Sequence, residues 1–225
     1  MKINKLRGQY TTLVDEFVRQ ARVVGAIVEA SDVAPVKDVA GGYPQVLVGG
    51  IFYLKEWPSS STSSKANKKL DILLRSSEVY EPDSLVLVKS TIQVMYFEAN
   101  TEEANPTLGI HYDYEHKMGA AHPIFHAQLG STNFTLEELA KVKFDRRILP
   151  WKDLVRVRIP TVHINFPSAL LTLFADHLPH QAFAGFLGWA KDHSLFSDAK
   201  ARIDCRDKPL GDNDPFVFQA FRLYK

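Results

Sequence analysis

TLGIHYDYEHKMGAAHPIFHAQL, residues 107–129, is two alternating runs joined by a short link that contains Gly119. From Leu108 to Glu115, Ile110, Tyr112 and Tyr114 fall on one side and His111, Asp113 and Glu115 on the other. Period-two alternation with β-formers on the apolar side predicts a half-buried strand. From His122 to Leu129, Phe125, Ala127 and Leu129 share one side, and His122, Ile124, His126 and Gln128 share the other. The link His116–Ala121 suits a β-hairpin. An even-length loop centred between Met118 and Gly119 would set residue 111 opposite 126, 113 opposite 124 and 115 opposite 122. Opposed side chains lie about 4.5–5.5 Å apart at Cβ, so His111 and His126 would touch, with Asp113 on a diagonal and Gln128 at the edge. A slip of one residue would send the two histidine sets to opposite faces.

The flanking chain extends this hairpin into a meander. Gln45–Lys55 is rich in Val, Ile, Phe and Tyr. Leu70, Ile72 and Leu74 alternate, and Leu85–Lys89 and Thr91–Glu98 follow a turn marked by Glu81-Pro82-Asp83. Val155–Pro160 alternates as a short strand with Arg156 and Arg158 on one side, and Phe216–Tyr224 predicts a last strand. Ser31–Tyr43 reads as loop, because of Pro35 and the Gly41-Gly42 pair; with no P-loop lysine and following helix, that pair is a turn. Pro58–Ala66 is Ser-rich and predicts a mobile loop over about residues 58–67. Asp207–Pro215 is rich in turn residues.

Helices bracket the strands. Leu6, Tyr10, Leu13, Val14, Phe17, Val18 and Ala21 recur at helical spacing, predicting an amphipathic helix over residues 4 to 23. Thr135 with Glu138 predicts a capped short helix through Val142. Pro167 opens a helix that Pro179 ends, and Gln181–His193 gives a second. The expected fold is α+β. One domain spans residues 1–225, an antiparallel meander with the N-terminal helix and a C-terminal helical hairpin packed on one face.

Composition narrows the function classes. Twenty-seven Lys and Arg stand against twenty-six Asp and Glu, for a net charge of +1. No global field therefore favours nucleic acid or membrane. The one cysteine, Cys205, excludes a disulfide within the chain and fits a reducing compartment. The N-terminal residues lack the apolar core of a signal peptide. Ala169–Leu178, the longest apolar-rich run, is too short to span a bilayer. The expectation is a cytoplasmic protein without a membrane partner.

All eight histidines fall between His111 and His193, so the second half holds most of the candidate chemistry. The polar side of the hairpin has three uses. Two imidazoles near neutral pKa, one oriented by Asp113, suit general acid–base catalysis. Two histidines and a carboxylate also suit a divalent Zn²⁺, Fe²⁺ or Mn²⁺ ion, although no cofactor is required. Such side chains equally make the ordinary wet face of an antiparallel sheet.

Three pieces resemble an uncharacterised prokaryotic family: Ser90–Glu98, then His122-Pro-Ile-Phe-His126 with Gly130, then Arg158-Ile-Pro160 before the Pro167 helix. The resemblance covers about the middle half of the chain. It implies a meander and a toxin or defence component, and it carries no activity.

The expected function is hydrolysis of phosphodiesters in nucleic acid or a nucleotide. His111, Asp113, His126 and Arg158 would be catalytic, with His111 and His126 as base and acid, Asp113 orienting and Arg158 holding the phosphate. Gln128, His122 and Glu115 would contact substrate. The alternative is a non-catalytic adaptor or subunit of a multi-protein complex. It would meet a protein partner through the helical hairpin at residues 167–193, where Phe183, Phe186 and Trp189 offer apolar surface.

Overall fold

A computed structural model describes residues 2–40, 43–59, 68–115, 125–130, 133–150, 158–160, 165–177 and 180–197. The first element is helix α1, Lys2–Val23. Leu6, Tyr10, Leu13, Phe17 and Ala21 line its buried stripe, each with no exposed surface. Gly25, at φ +80°, turns the chain out of the helix, a conformation that costs glycine little.

Strands β1 (Ile27–Ala30) and β2 (Val36–Ala40) follow, and both pair antiparallel with β3 (Tyr43–Ser59). The loop expected over Ser31–Tyr43 thus contains a strand. Its residues, Val36-Lys-Asp-Val-Ala40, are held by pairing with Tyr43–Leu47 rather than by alternation of their own. Strands β4 (Lys68–Tyr80), β5 (Leu87–Glu98) and β7 (Pro106–Glu115) continue the meander, each antiparallel to the one before it in the sheet. Between β5 and β7 lies the short strand β6 (Glu103–Ala104). Strand β8 (Phe125–Leu129) pairs with β7.

Helix α2 (Leu136–Lys141) begins at Thr135 in a full capping box with Glu138, as the sequence predicts. Strand β9 (Arg147–Ile148) pairs parallel with β6. Strand β10 (Arg158–Pro160) joins the sheet beside β8. The main sheet runs β1-β3-β4-β5-β7-β8-β10, with β2 beside the first half of β3. Helices α3 (Phe166–His177) and α4 (His180–Asp192) form the expected helical hairpin, and a short α5 (Ser194–Ser197) follows. Residues 60–67 of the Ser-rich run, the Gly41-Gly42 pair, Cys205, the 207–215 loop and the 216–224 strand lie outside the described residues.

Strand periodicity divides the sheet into two faces. Phe52, Leu54, Ile72, Leu74, Ile92 and Val94 point to α1, α3 and α4, forming the larger core. Phe17 stacks on Trp57 with centroids 5.9 Å apart, and Phe174 meets Phe186 at 4.7 Å, so one aromatic cluster ties α1, β3, α3 and α4 together. Ile51, Tyr53, Leu73, Met95 and Phe97 point the other way, under Leu139, Val142 and Phe144. The α2 segment covers only this end of the second face.

Phe186 is fully buried against Phe174 and Phe17, and Trp189 stacks on it at 5.7 Å. Of the three residues expected to offer apolar surface on the helical hairpin, Phe186 does not face outward. Phe186 is spent inside the chain's own core, because helical periodicity puts it on the stripe that meets α1 and α3. The side chain of Phe183 lies outside the described residues.

Candidate functional site

The hairpin of β7 and β8 carries the predicted polar groups, in a register shifted by two residues. Asp113 opposes His126, and His111 opposes Gln128. The expected contact of His111 with His126 is therefore replaced by a diagonal. A shift of two leaves every side chain on its expected face. Burial sets that parity, since Tyr112 and Tyr114 must share the helix-covered face with Ala127. Nothing in the alternation sets which even register is taken, and residues 116–124 lie outside the described part.

His111, Asp113, His126 and Gln128 all belong to the second face. The His126 Nε2 lies 3.6 Å from the Asp113 Oδ2, an ion pair when the imidazole is protonated. His126 is 3% exposed, whereas the side chain of Asp113 is 31% exposed. A substrate would therefore meet Asp113 and His111 first. Arg158 sits opposite Gln128 in register, so Gln93, His111, Gln128 and Arg158 occupy successive strands at one level of the sheet. The side chains of Arg158 and Glu115, and all of His122, lie outside the described residues.

Alternation around the hairpin alone does not reveal two further groups at this level. Arg75 on β4 opposes Gln93 and donates to its Oε1. The same guanidinium makes a fork to both oxygens of Glu138, at 2.9 Å each, and lies over the Phe134 ring. Partial burial pushes the Glu138 carboxyl up, but the Thr135 N–H and Arg75 outweigh it and hold the group below its ordinary range. Arg75 is thus a fixed cation two strands from His111. Its signal was its place on the opposite side of β4 from Ile72 and Leu74.

A different buried network stands on the helix-covered face. Glu78 is fully buried and accepts from Tyr10 Oη, Tyr80 Oη at 3.0 Å, Ser90 Oγ at 3.5 Å and the Phe166 backbone N–H at 2.8 Å. The last donor belongs to the first turn of α3, where the helix dipole also favours an anion. Burial still raises the Glu78 pKa above its ordinary value, against those four donors. At the far end of the second face, Asp71 accepts from Arg146 at 2.7 Å, Tyr53 Oη at 2.9 Å and the Glu56 N–H at 2.8 Å. Both clusters join elements and are closed to substrate.

Among the described residues, no three His, Cys, Asp or Glu side chains converge to hold a metal ion. No helix among them is long and apolar enough to cross a membrane. Comparison of the chain with protein-family models, with curated proteins and with solved structures finds no match.

Proposed function

We propose that the chain is an enzyme of phosphodiester cleavage that acts on nucleic acid or a nucleotide through histidine acid–base chemistry. The observation that carries the reading is the Asp113 carboxylate set opposite His126, 3.6 Å from its Nε2, on the face that also bears His111 and Gln128. The diagonal between His111 and His126 spans about 7–8 Å. That distance suits a base and an acid on the attacking and leaving oxygens of one phosphorus, which lie roughly in line. Direct contact of the two rings would leave no room for the phosphoryl group.

In this mechanism His111 takes the proton of the attacking water or hydroxyl. His126, held by Asp113, returns a proton to the leaving oxygen. Gln128 and Arg158 contact the non-bridging oxygens, where negative charge grows. A role in defence or as a toxin would fit nuclease chemistry, and only the resemblance of Ser90–Glu98, His122–His126 and Arg158–Pro160 speaks for it.

The test is turnover of end-labelled RNA, DNA and a cyclic nucleotide by the purified chain, beside His111→Ala, His126→Gln and Asp113→Asn. Loss of either proton-transfer group should cost at least about a hundredfold in kcat, with the melting temperature held near that of the parent. Full activity in the double histidine variant would sink the proposal, as would the absence of turnover on all three substrates.

A further inference from the structure

On the face opposite the Asp113–His126 pair, α3 overlies β4 and β5 but leaves β7 half covered. Ile92 is fully buried and Val94 nearly so, while Ile110 and Tyr112 on the next strand are half-buried. A cleft of ≈ 290 Å³ opens there, between α3 and the β5–β7 surface. Its walls include Val94, Ile110 and Leu173, with the rings of Tyr96 and Tyr112. His177, at the end of α3, tilts against Tyr96 with centroids 5.5 Å apart. Among the described lining residues there is no Asp, Glu, Lys or Arg.

The chemistry of the lining selects a ligand. The volume lies at the small end of the range for ligand pockets, about 300–1,000 Å³, which suits one or two fused rings. Burying a charge here would cost far more than burying a neutral ring, because the described lining residues include no carboxylate, lysine or arginine to pair with it. Thr107 and Thr172 supply part of the polar edge, beside the polar ends of Tyr96, Tyr112 and His177. The Thr107 hydroxyl donates to the Tyr96 carbonyl at 3.1 Å, and the Thr172 hydroxyl donates to the Ser168 carbonyl at 3.0 Å. A hydroxyl has one proton and two lone pairs. With both protons committed to the backbone, the two threonines can offer a ligand only acceptors.

We propose that this cleft is a binding site for a small, neutral aromatic molecule that carries an N–H or O–H donor. The ring would lie between Leu173 and the Ile110–Tyr112 surface, with its donor on Thr107 or Thr172. The inference stands apart from the phosphodiesterase proposal, since none of the cleft residues belongs to the polar face of the hairpin. Strand β7 contributes to both sides, through Ile110 and Tyr112 here and through His111 and Asp113 there.

Three probes on one ring system test the claim by ligand-observed NMR on the full chain, at about pH 8, above the ordinary histidine range. They are indole, its donor-free analogue benzofuran, and indole carboxylate. Indole should bind saturably. Benzofuran should bind about fivefold more weakly, the worth of one net hydrogen bond, and the carboxylate weaker still. Ala169→Trp should abolish indole binding by filling the cleft. Leu108→Asp alters a rim residue already 38% exposed, so its fold is safe, and it should weaken binding at least about tenfold through lost apolar contact. No saturable indole binding overturns the proposal. Indole binding that Leu108→Asp leaves unchanged, or equal affinity for all three probes, overturns it as well.

Discussion

Glu78 shows what one carboxylate on the wrong side of a strand can do. In β4 it has the same parity as Ile72 and Leu74, so alternation alone assigns it to the apolar face. A hydrophobic-pattern reading passes over it, since one polar residue does not break a strand. The structure shows why it is tolerated: Tyr10, Tyr80, Ser90 and the first turn of α3 all donate to it. Tyr80 lies two residues on in the same strand, but Tyr10, Ser90 and Phe166 belong to other elements, so no local motif could have announced the full set. Burial nevertheless raises the Glu78 pKa, and the sign of the consequence follows. The folded chain keeps a proton that the unfolded chain releases. This contribution to stability is fully present below the unfolded-state pKa, about 4.3, and is lost as pH rises through the raised folded-state value. Glu78→Gln stays neutral and keeps an acceptor. Its unfolding free energy should therefore fall less from mildly acidic to neutral pH than that of the parent. Urea titrations at several pH values measure this, and parallel pH profiles for the two proteins would refute it.

The six residues of α2 are too few to form a helix unaided. They hold because three interactions converge on Glu138 and Thr135. Glu138 receives the Thr135 N–H at 2.9 Å and the Arg75 fork, and its own N–H donates to Thr135 Oγ1 at 3.2 Å. The capping half was legible, because Thr-x-x-Glu before Leu139 is a local signal. The Arg75 half was not, since it crosses from β4. Removing the cap with Thr135→Ala should cost about 1 kcal/mol. Glu138→Ala should cost more, as it also strips Arg75 of its partner. The two losses should fall short of additive, because both variants destroy the same box. Denaturant midpoints of the four proteins decide this. Strand lengths show the same division between local and distant causes. The sequence marks Gln45–Lys55, yet β3 runs on to Ser59 across a register shift near Glu56, which has φ 57°. Asp71 secures that irregular turn of backbone by accepting the Glu56 N–H. Strand β1 carries too few residues for a period, and β3 alone defines it through pairing of Ile27–Ala30 with Phe52–Lys55.

Across the whole molecule, the meander was legible because consecutive strands are neighbours, so each period-two run predicts its own partner. The packing of the helices on one face was legible too, from their apolar stripes, but the contacts that join them to one another were not. Helix α1 packs against α3 and α4 at the other end of the chain, through Phe17 on Phe174 and Phe186 at 5.3 and 6.0 Å. Tyr10 stacks on Phe166 at 6.1 Å and shares Glu78 with it. Those contacts make the N-terminal helix part of the centre rather than a loose appendage. The sheet, by contrast, loosens toward its sides. Ile72, Leu73 and Leu74 in β4 have no exposed surface, whereas Ile27 at the start of β1 is 51% exposed. Amide exchange should follow this ordering, since edges open locally while centres open only with the global unfolding. The slowest amides should be those of β4 around Ile72–Leu74 together with the α1 amides around Leu13–Phe17, at a common rate. Amides of β1 should exchange sooner. Hydrogen–deuterium exchange read by mass spectrometry separates these segments. If α1 exchanged ahead of β1, the aromatic cluster would not be joining the two ends of the chain, and the helices would be resting on the sheet without locking it.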